Sequence, residues 1–399
     1  MNQFIQNVIW GQKGNFLDIP TDCPQRDERL GWTGDAQVFC RTACYNFDCE
    51  KFFKRWLNNL IAEQNAIGVV PRMVPDPWNW KGISAGWGDA ATIIPWELYL
   101  IYGDKLLLRR QFESMKKHVD SIPALSKDEY LWTGMEHFGD WLGLDAPEGS
   151  YKGSSREDLI ASAYYVYSTE IVCKAGEVLE EDVSYYRQLY AKCREKFLHT
   201  YPTPKTQTEC VLMLQFHLTD NREAVAKKLV ELIKSCGTHL QTGFIGTPYL
   251  LHALSENGYA DVAYELLLRE EFPSWLYSVK QGATTVWEHW DGKNEKGEFW
   301  SDEMNSFNHY SYGAVVDWIY GVAGGIRPLK AGFEEIMINP IPTSKLEFLD
   351  VKIQTRKGLV RSKWYKEGEQ VRYEIQTPVK TRIEINGTQY TVEKGSYVF

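Results

Sequence analysis

Asp18-Ile-Pro-Thr-Asp22-Cys-Pro-Gln-Arg26-Asp27-Glu28-Arg29-Leu-Gly-Trp32-Thr-Gly-Asp35 puts five acidic residues, two arginines and a tryptophan into eighteen positions. Such a run suits neither a core strand nor a core helix. Pro20 and Pro24 each remove an amide donor and push the residue before them towards extended backbone, and Gly31 and Gly34 permit tight turns. From Ala36 onwards the chain is apolar enough for a helix, so the segment reads as a stiff loop that closes on Asp35 as the helix N-cap. Taken alone, Arg26-Asp27-Glu28-Arg29 reads equally well as alternating surface charge. Two prolines, two glycines and Trp32 favour a built site, because a merely solvated loop has no use for such stiffness. Carboxylates and guanidinium groups suit a hydroxyl-rich ligand, an indole covers the face of a ring, and one carboxyl can donate a proton.

Outward from this loop the pattern is helical. Phe4, Ile5, Val8 and Ile9 predict a short amphipathic helix over 2–13, and Phe52, Phe53, Trp56, Leu57, Leu60 and Ile61 predict another between Asp48 and Gln64. Further helices are expected at 89–102, 105–125, 156–180, 184–199, 207–217, 221–236, 247–256, 259–270 and 307–323. Thr206-x-x-Glu209 and Asp220-x-x-Glu223 read as capping boxes, and Asp104 follows the Gly103 turn. With the helix after Asp35 the count is about twelve, with almost no strand signal before residue 325. Val69 to Gly88 is different. It holds three prolines, three glycines, Trp78, Trp80 and Trp87, which is too long and too aromatic for an ordinary connector, so it reads as a functional loop. Gly-Asp recurs beside an aromatic at Trp32-Thr-Gly34-Asp35, Trp87-Gly88-Asp89 and Gly139-Asp140-Trp141, and each reads as a helix start at one common mouth. Beyond Gly324-Gly-Ile-Arg-Pro328, apolar and polar residues alternate in Glu335–Asn339, Lys345–Ile353, Gly368–Ile375 and Thr381–Ile385, with Asn386-Gly387 as a hairpin turn. The chain is thus expected to be mainly α over residues 1–325, followed by a small antiparallel β-domain over 326–399.

Composition narrows the function. A length of 399 residues supports a large core, and a net charge of −9 with no basic cluster argues against nucleic acid or an anionic membrane surface as a partner. Fifteen Trp and twenty-three Tyr exceed ordinary core needs, and sugar-binding surfaces are one place where aromatics collect, although long packed helices are another. The eight cysteines form no Cys-x-x-Cys pair and histidines do not cluster, so no metal or other cofactor is expected and the thiols read as buried and free. No apolar run is long enough to span a membrane. Met1–Trp10 lacks a positive n-region and a cleavage site, which favours the cytoplasm, or the periplasm if a signal-bearing N-terminus has been lost. A homodimer is left open.

Four stretches resemble one family in order and spacing. Asp22–Asp35 resembles the signature of the inverting bacterial α-L-rhamnosidases of glycoside hydrolase family 78, and Gly86-Trp-Gly-Asp89, Thr284-Thr-Val-Trp-Glu-His-Trp-Asp-Gly292 and Ser306-Phe-Asn-His-Tyr-Ser-Tyr-Gly-Ala314 follow. The resemblance implies an (α/α)6 toroid of six hairpins with the site at one mouth, then a C-terminal β-sandwich. Members of that family carry β-sandwich modules ahead of the loop, whereas seventeen residues precede Asp18, so either those modules are absent or the chain is a fragment.

The resemblance further implies an exo-acting hydrolase that removes terminal rhamnose from a glycoside or oligosaccharide. Inversion needs one carboxylic acid to protonate the leaving oxygen and one carboxylate to activate water on the opposite ring face. The family match makes Glu28 the acid and Glu288 the base. Repulsion among Asp22, Asp27, Glu28 and Asp35 is expected to help hold a proton on one carboxyl of the group. Arg26 is expected to point at substrate hydroxyls and Arg29 to pair elsewhere. By motif position Asp22, Arg26, Asp35, Asp89 and His309 resemble hydroxyl contacts, and Trp32, Trp87 and, less directly, Trp141 resemble walls around the ring and its C6 methyl. A lone His309 at the start of an apolar helix more often packs as a satisfied side chain; the Ser306-Phe-Asn-His-Tyr context favours the site. The alternatives are another (α/α)6 carbohydrate enzyme, including a phosphorylase, and a non-catalytic sugar-binding protein. The presence of both Glu28 and Glu288 disfavours the last.

Overall fold

A computed structural model describes residues 1–64, 68–302 and 304–399. Among the described residues twelve α-helices come first: α1 (Asn2–Asn15), α2 (Thr33–Asn46), α3 (Glu50–Glu63), α4 (Ala90–Tyr102), α5 (Lys105–Leu125), α6 (Glu157–Leu179), α7 (Ser184–Thr200), α8 (Gln207–Gln215), α9 (Arg222–Ser235), α10 (Thr247–Ser255), α11 (Ala260–Leu267) and α12 (Trp275–Lys280). A 3₁₀ turn Ser311–Val315, one α turn Val316–Trp318 and a π turn Ile319–Ala323 then run together.

The order of contacts closes a ring. α2 packs on α4, α4 on α6, α6 on α8, α8 on α10, and α10 on the 3₁₀ turn, which returns to α2. That is six inner elements. Outside them α3 lies against α4 and α5, α7 against α6, α9 against α8, and α11 against α10. The sequence explains which helices go inside. In α4, Ala-Ala-Thr-Ile-Ile-Pro-Trp-Glu-Leu is apolar nearly all round and almost wholly buried, as an inner-ring helix must be. α3 instead buries one stripe, Phe53, Trp56, Leu57 and Leu60, and turns Lys51 and Arg55 outward. The expected toroid is therefore the observed one.

Several local expectations change. Asp35 is not an N-cap: α2 starts two residues earlier, at Thr33, and Asp35 lies buried in its first turn. The box at Asp220 moves by one residue, since Asn221 accepts from Ala224 N while Asp220 pairs with Arg194. Asp104 and Thr206 do cap α5 and α8 through their side chains. The helix expected over 307–323 begins only at Ser311 and is wound irregularly. Its Gly313 lies against Val8 and Phe39, where a Cβ would approach Val8 to 3.0 Å, so the tight winding brings it under α1 and α2. α12 was not visible in the periodicity.

The C-terminal strands are β1 (Ile326–Lys330), β2 (Glu335–Ile338), β3 (Phe348–Thr355), β4 (Gly358–Glu367), β5 (Gln370–Thr377), β6 (Thr381–Ile385), β7 (Thr388–Val392) and β8 (Gly395–Val398). They form two four-stranded sheets, β1-β2-β6-β7 and β3-β4-β5-β8. All ladders are antiparallel except β2 with β6, so the domain is not purely antiparallel. Asn386-Gly387 does turn β6 into β7. Trp364, fully buried, donates its indole N–H to the carbonyl of Ala323 at 3.0 Å and fastens this domain to the end of the ring. Among the described residues no helix is long and apolar enough to cross a membrane.

Candidate active site

The acidic loop is closed on itself by a reciprocal pair: Asp22 N donates to the Leu30 carbonyl at 2.9 Å, and Leu30 N donates to Asp22 Oδ1 at 3.0 Å. Between these anchors Arg26, Asp27 and Glu28 project from the bend. A second segment meets it from the far end of the chain. Glu288 N donates to the Ser306 carbonyl at 2.9 Å, and Ser306 N donates to Glu288 Oε2 at 3.0 Å. Gln25 Nε2 donates to Ser306 Oγ at 2.8 Å, which stitches the two segments together.

Arg26 occupies the junction. Its guanidinium donates to Glu288 Oε2 at 3.2 Å and, through the other terminal nitrogen, to Glu28 Oε2. Arg26, expected to point at substrate hydroxyls, thus also stands between the two acids: two carboxylates brought so close need a cation between them, and burial strengthens the attraction. Arg29, with left-handed backbone (φ 46°), pairs with Asp27 at 3.5 Å on the surface. Trp32 also acts as more than a wall, for its indole N–H donates to Glu28 Oε1 at 2.9 Å.

Glu28, Trp32 and Glu288 line a cavity of about 550 Å³, whose lining does not include Arg26. Asp22, Glu28, Asp35, Glu288 and His309 supply its polar wall, and Trp32, Trp87, Trp141, Phe138 and Phe244 the apolar one. Asp27 and Met304 also face it. Burial raises Asp22 to about 7, with repulsion from Glu28 as the next cause. Asp35 is raised well above its ordinary value by burial, against a 2.5 Å hydrogen bond from Ser311 Oγ. Glu288 is raised by burial, opposed by the Arg26 charge and the Ser306 N–H. His309 is pushed down to about 3, first by burial and then by the charge of Arg26, so its imidazole is neutral. Its Nε2 stands 3.3 Å from Asp35 Oδ1, and its buried Nδ1 has no hydrogen-bond partner among the described residues. Asp22, Cys23 and Glu28 present three potential metal-ligand atoms within 4.8 Å of one another. Burial, then the charge of Asp22, lifts the Cys23 thiol to about 12.

One residue expected to meet the ligand does other work, and one expected helix start is not one. Asp89 is fully buried and does not reach the cavity. Its carboxylate accepts from Gly86 N at 2.8 Å and Ser168 Oγ at 2.6 Å, and His118 Nε2 lies 3.2 Å away. It braces the turn that presents Trp87, whose ring packs against Gly34 and Phe138. Gly139-Asp140-Trp141 is not a helix start, since α6 begins at Glu157. Asp140 accepts from Gly243 N, Ile245 N and Gly246 N at 2.7–3.1 Å, so it organises the turn ahead of α10 instead. Trp141 then lines the cavity against Phe138 and Tyr151.

Sequence reasoning missed Arg72, Phe138, Phe244 and Met304. Phe138 precedes Gly139-Asp140-Trp141 and stood within reach of that reading. Phe244 and Met304 carry no local signal. Arg72 spreads its guanidinium 4.3 Å from the Phe138 ring centroid, and burial lowers its pKa.

The family model for the bacterial alpha-L-rhamnosidase six-hairpin glycosidase domain matches residues 1–323, and that for the bacterial alpha-L-rhamnosidase C-terminal domain matches 325–397. An alpha-L-rhamnosidase of Formosa agariphila is 41% identical over 96% of this chain and 42% of its own length. The crystal structure of a Streptomyces avermitilis alpha-L-rhamnosidase complexed with L-rhamnose superposes with a TM-score of 0.94 at 34% identity, over 100% of this chain and 41% of that one. The native enzyme from Aspergillus terreus gives a TM-score of 0.94 at 34% identity, over 100% of this chain and 48% of that one. The chain spans between 35% and 42% of the length of the curated relatives it matches. By these matches, on a ring of six helical hairpins whose mouth gathers two acids around one arginine, the chain belongs to the bacterial alpha-L-rhamnosidase six-hairpin glycosidase family.

Proposed function

We propose that this chain is an exo-acting α-L-rhamnosidase that hydrolyses terminal rhamnosides with inversion, Glu28 serving as general acid and Glu288 as general base. The observation that carries this reading is the convergence of Glu28 and Glu288 on Arg26 beside an open-mouthed, indole-walled cavity. Relatives at about 40% identity bear the name alpha-L-rhamnosidase, and a close structural neighbour holds L-rhamnose. The pocket suits one sugar ring. Asp22, Asp35, Arg26 and His309 offer acceptors and donors to ring hydroxyls, and Trp32, Trp87 and Trp141 surround the apolar edge that carries the C6 methyl.

The chemistry follows from the bonding. Glu288 Oε2 is occupied by Arg26 and Ser306 N, which leaves Oε1 for the water it deprotonates. Arg26 stabilises the negative charge on Glu288 before attack. Glu28, held through Oε1 by Trp32, delivers a proton to the glycosidic oxygen as the bond breaks, and Arg26 stabilises the carboxylate that remains. The new C1–O bond comes from water, the C1–O bond to the leaving group breaks, and the water proton passes to Glu288.

Aryl α-L-rhamnoside hydrolysis by the 399-residue chain, with and without phosphate, tests this reading. Release of free rhamnose independent of phosphate supports it. Rhamnose 1-phosphate formed only with phosphate would make the enzyme a phosphorylase, and binding without turnover would leave a sugar-binding protein.

A further inference from the structure

Residues 72–82 make an excursion that leaves the ring and returns to its starting point. Arg72 N donates to the Gly82 carbonyl at 3.0 Å, closing the neck. The neck is laced to the loop that carries Glu28. Val74 N donates to the Gly31 carbonyl at 2.8 Å, Thr33 N to the Arg72 carbonyl at 2.9 Å, and Met73 bridges Trp32. Gly31 is required there, since a Cβ would stand 2.2 Å from the Val74 carbonyl oxygen. The buried indole of Trp56 donates to that same oxygen at 2.9 Å from below.

At the tip, Asp76 Oδ2 accepts from Lys81 N at 2.9 Å, and Asn79 and Lys81 take left-handed backbone (φ 54° and 48°). This tight turn brings Trp78 and Trp80 together with ring centroids 4.6 Å apart at 39°. Both indoles face the catalytic cavity, yet they are 48% and 59% exposed. A loop that spends a side-chain-capped turn and two left-handed residues on holding two indoles in water forgoes the burial these rings would otherwise gain, and so is shaped for an occupant.

Given the proposed role of Glu28, on which this inference rests, the place of the pair decides what the occupant is. The acid must stand beside the glycosidic oxygen. The rim laced to Gly31 and Trp32, on the same segment as Glu28, is therefore the rim on the leaving-group side. The carboxylates and His309 that suit sugar hydroxyls line the inner part of the cavity, whereas the excursion brings aromatic faces. We propose that Trp78 and Trp80 form the leaving-group subsite, a stacking platform for a leaving group that carries a ring with a flat apolar face, either an aryl ring or the C–H face of a pyranose. Substrates with a small open-chain leaving group gain nothing from it.

The test is calorimetric binding to the full chain carrying Glu288→Gln, so that glycosides survive the titration. Four ligands are compared: L-rhamnose, methyl α-L-rhamnoside, an aryl α-L-rhamnoside and an α-L-rhamnosyl-glucose. Stacking of one ring is expected to make a ring-bearing glycoside bind about tenfold more tightly than the methyl glycoside. Adding Trp78→Ala and Trp80→Ala should abolish that advantage, with L-rhamnose and the methyl glycoside bound as before to within about twofold and the melting temperature unchanged. An advantage for the aryl compound alone, the disaccharide alone or both names the ring that is read. Equal binding of methyl and ring-bearing glycosides, or an advantage that survives the double substitution, overturns the platform. If L-rhamnose fails to bind while the aryl glycoside binds in a manner dependent on Trp78 and Trp80, the platform stands and the rhamnoside reading falls.

Discussion

Arg26 lies 3.2 Å from Glu288 and holds Glu28 with its other terminal nitrogen, so one cation governs both candidate catalytic acids. Glu288 is nearly fully buried, and burial lifts its pKa, while the Arg26 charge works against that lift. Removing the arginine therefore raises Glu288 further. A general base acts only when ionised, so the acidic limb of the kcat/KM profile should move to higher pH in Arg26→Ala. A pH–rate series on the variant checks the direction. A limb that stays in place, or moves to lower pH, would mean that Arg26 does not set the ionisation of Glu288.

Asp22 links the site to stability. Its folded pKa of about 7 stands above the ordinary aspartate value of 3.8, so between those limits the native state holds a proton that the unfolded chain has lost. Stability is fully present below about pH 4, falls as pH rises towards 7 and levels off above it. The span corresponds to up to about 4 kcal/mol. Asp22→Asn keeps an oxygen for Leu30 N and carries no charge to bury, so its melting temperature should match the wild type near pH 4 and exceed it at pH 8. It should also bind rhamnose poorly. Parallel melting curves for the two proteins across this range would contradict the account.

Gly34 decides where Trp87 stands. In the first turn of α2 an alanine would ordinarily gain up to about 1 kcal/mol over glycine. Here the added Cβ would lie 2.6 Å from the Trp87 ring, which is buried and cannot swing aside. Overpacking of that kind costs about 1–3 kcal/mol, so the clash outweighs the propensity. Gly34→Ala should melt at a lower temperature and show a raised KM for rhamnosides. A more stable variant with unchanged KM would remove Trp87 from the pocket wall.

Sugar choice follows from that wall. L-mannose differs from L-rhamnose by one hydroxyl at C6, and the Trp32 indole N–H is already committed to Glu28. Burying the extra hydroxyl unpaired costs about 1–3 kcal/mol. The expected preference for the rhamnoside in kcat/KM is about 10–100-fold. Equal efficiency with the two aryl glycosides would show that C6 points to solvent.

Much of this architecture is legible in the sequence where one segment carries its own signal. The stripe of Phe53, Trp56, Leu57 and Leu60 marks an outer helix, and Asn386-Gly387 marks a hairpin, because periodicity and turn chemistry act within a few residues. Asp35 misleads for the same reason. A Gly-Asp pair before an apolar run looks like a cap, as Asp89 does stand at the head of α4, and only the packed ring shows Asp35 inside α2 meeting Ser311. The bond from Arg26 to Glu288 spans most of the chain, and nothing local foretells it. Phe244 and Met304 reach the cavity only because Asp140 and the segment after Glu288 carry their loops there. The irregular winding after Ser311 is likewise set by what Gly313 must fit beneath.

The most direct test is the turnover of aryl α-L-rhamnosides with good and poor leaving groups by Glu28→Gln and Glu288→Gln. Each substitution should lower kcat by about 10²–10⁴-fold with rhamnose binding nearly intact, the range general acid–base groups supply. The two should then separate. A good leaving group needs little protonation, so it should restore much of the rate to Glu28→Gln and none to Glu288→Gln. Near wild-type rates in either variant, or equal rescue of both, would contradict the assignment of Glu28 as acid and Glu288 as base.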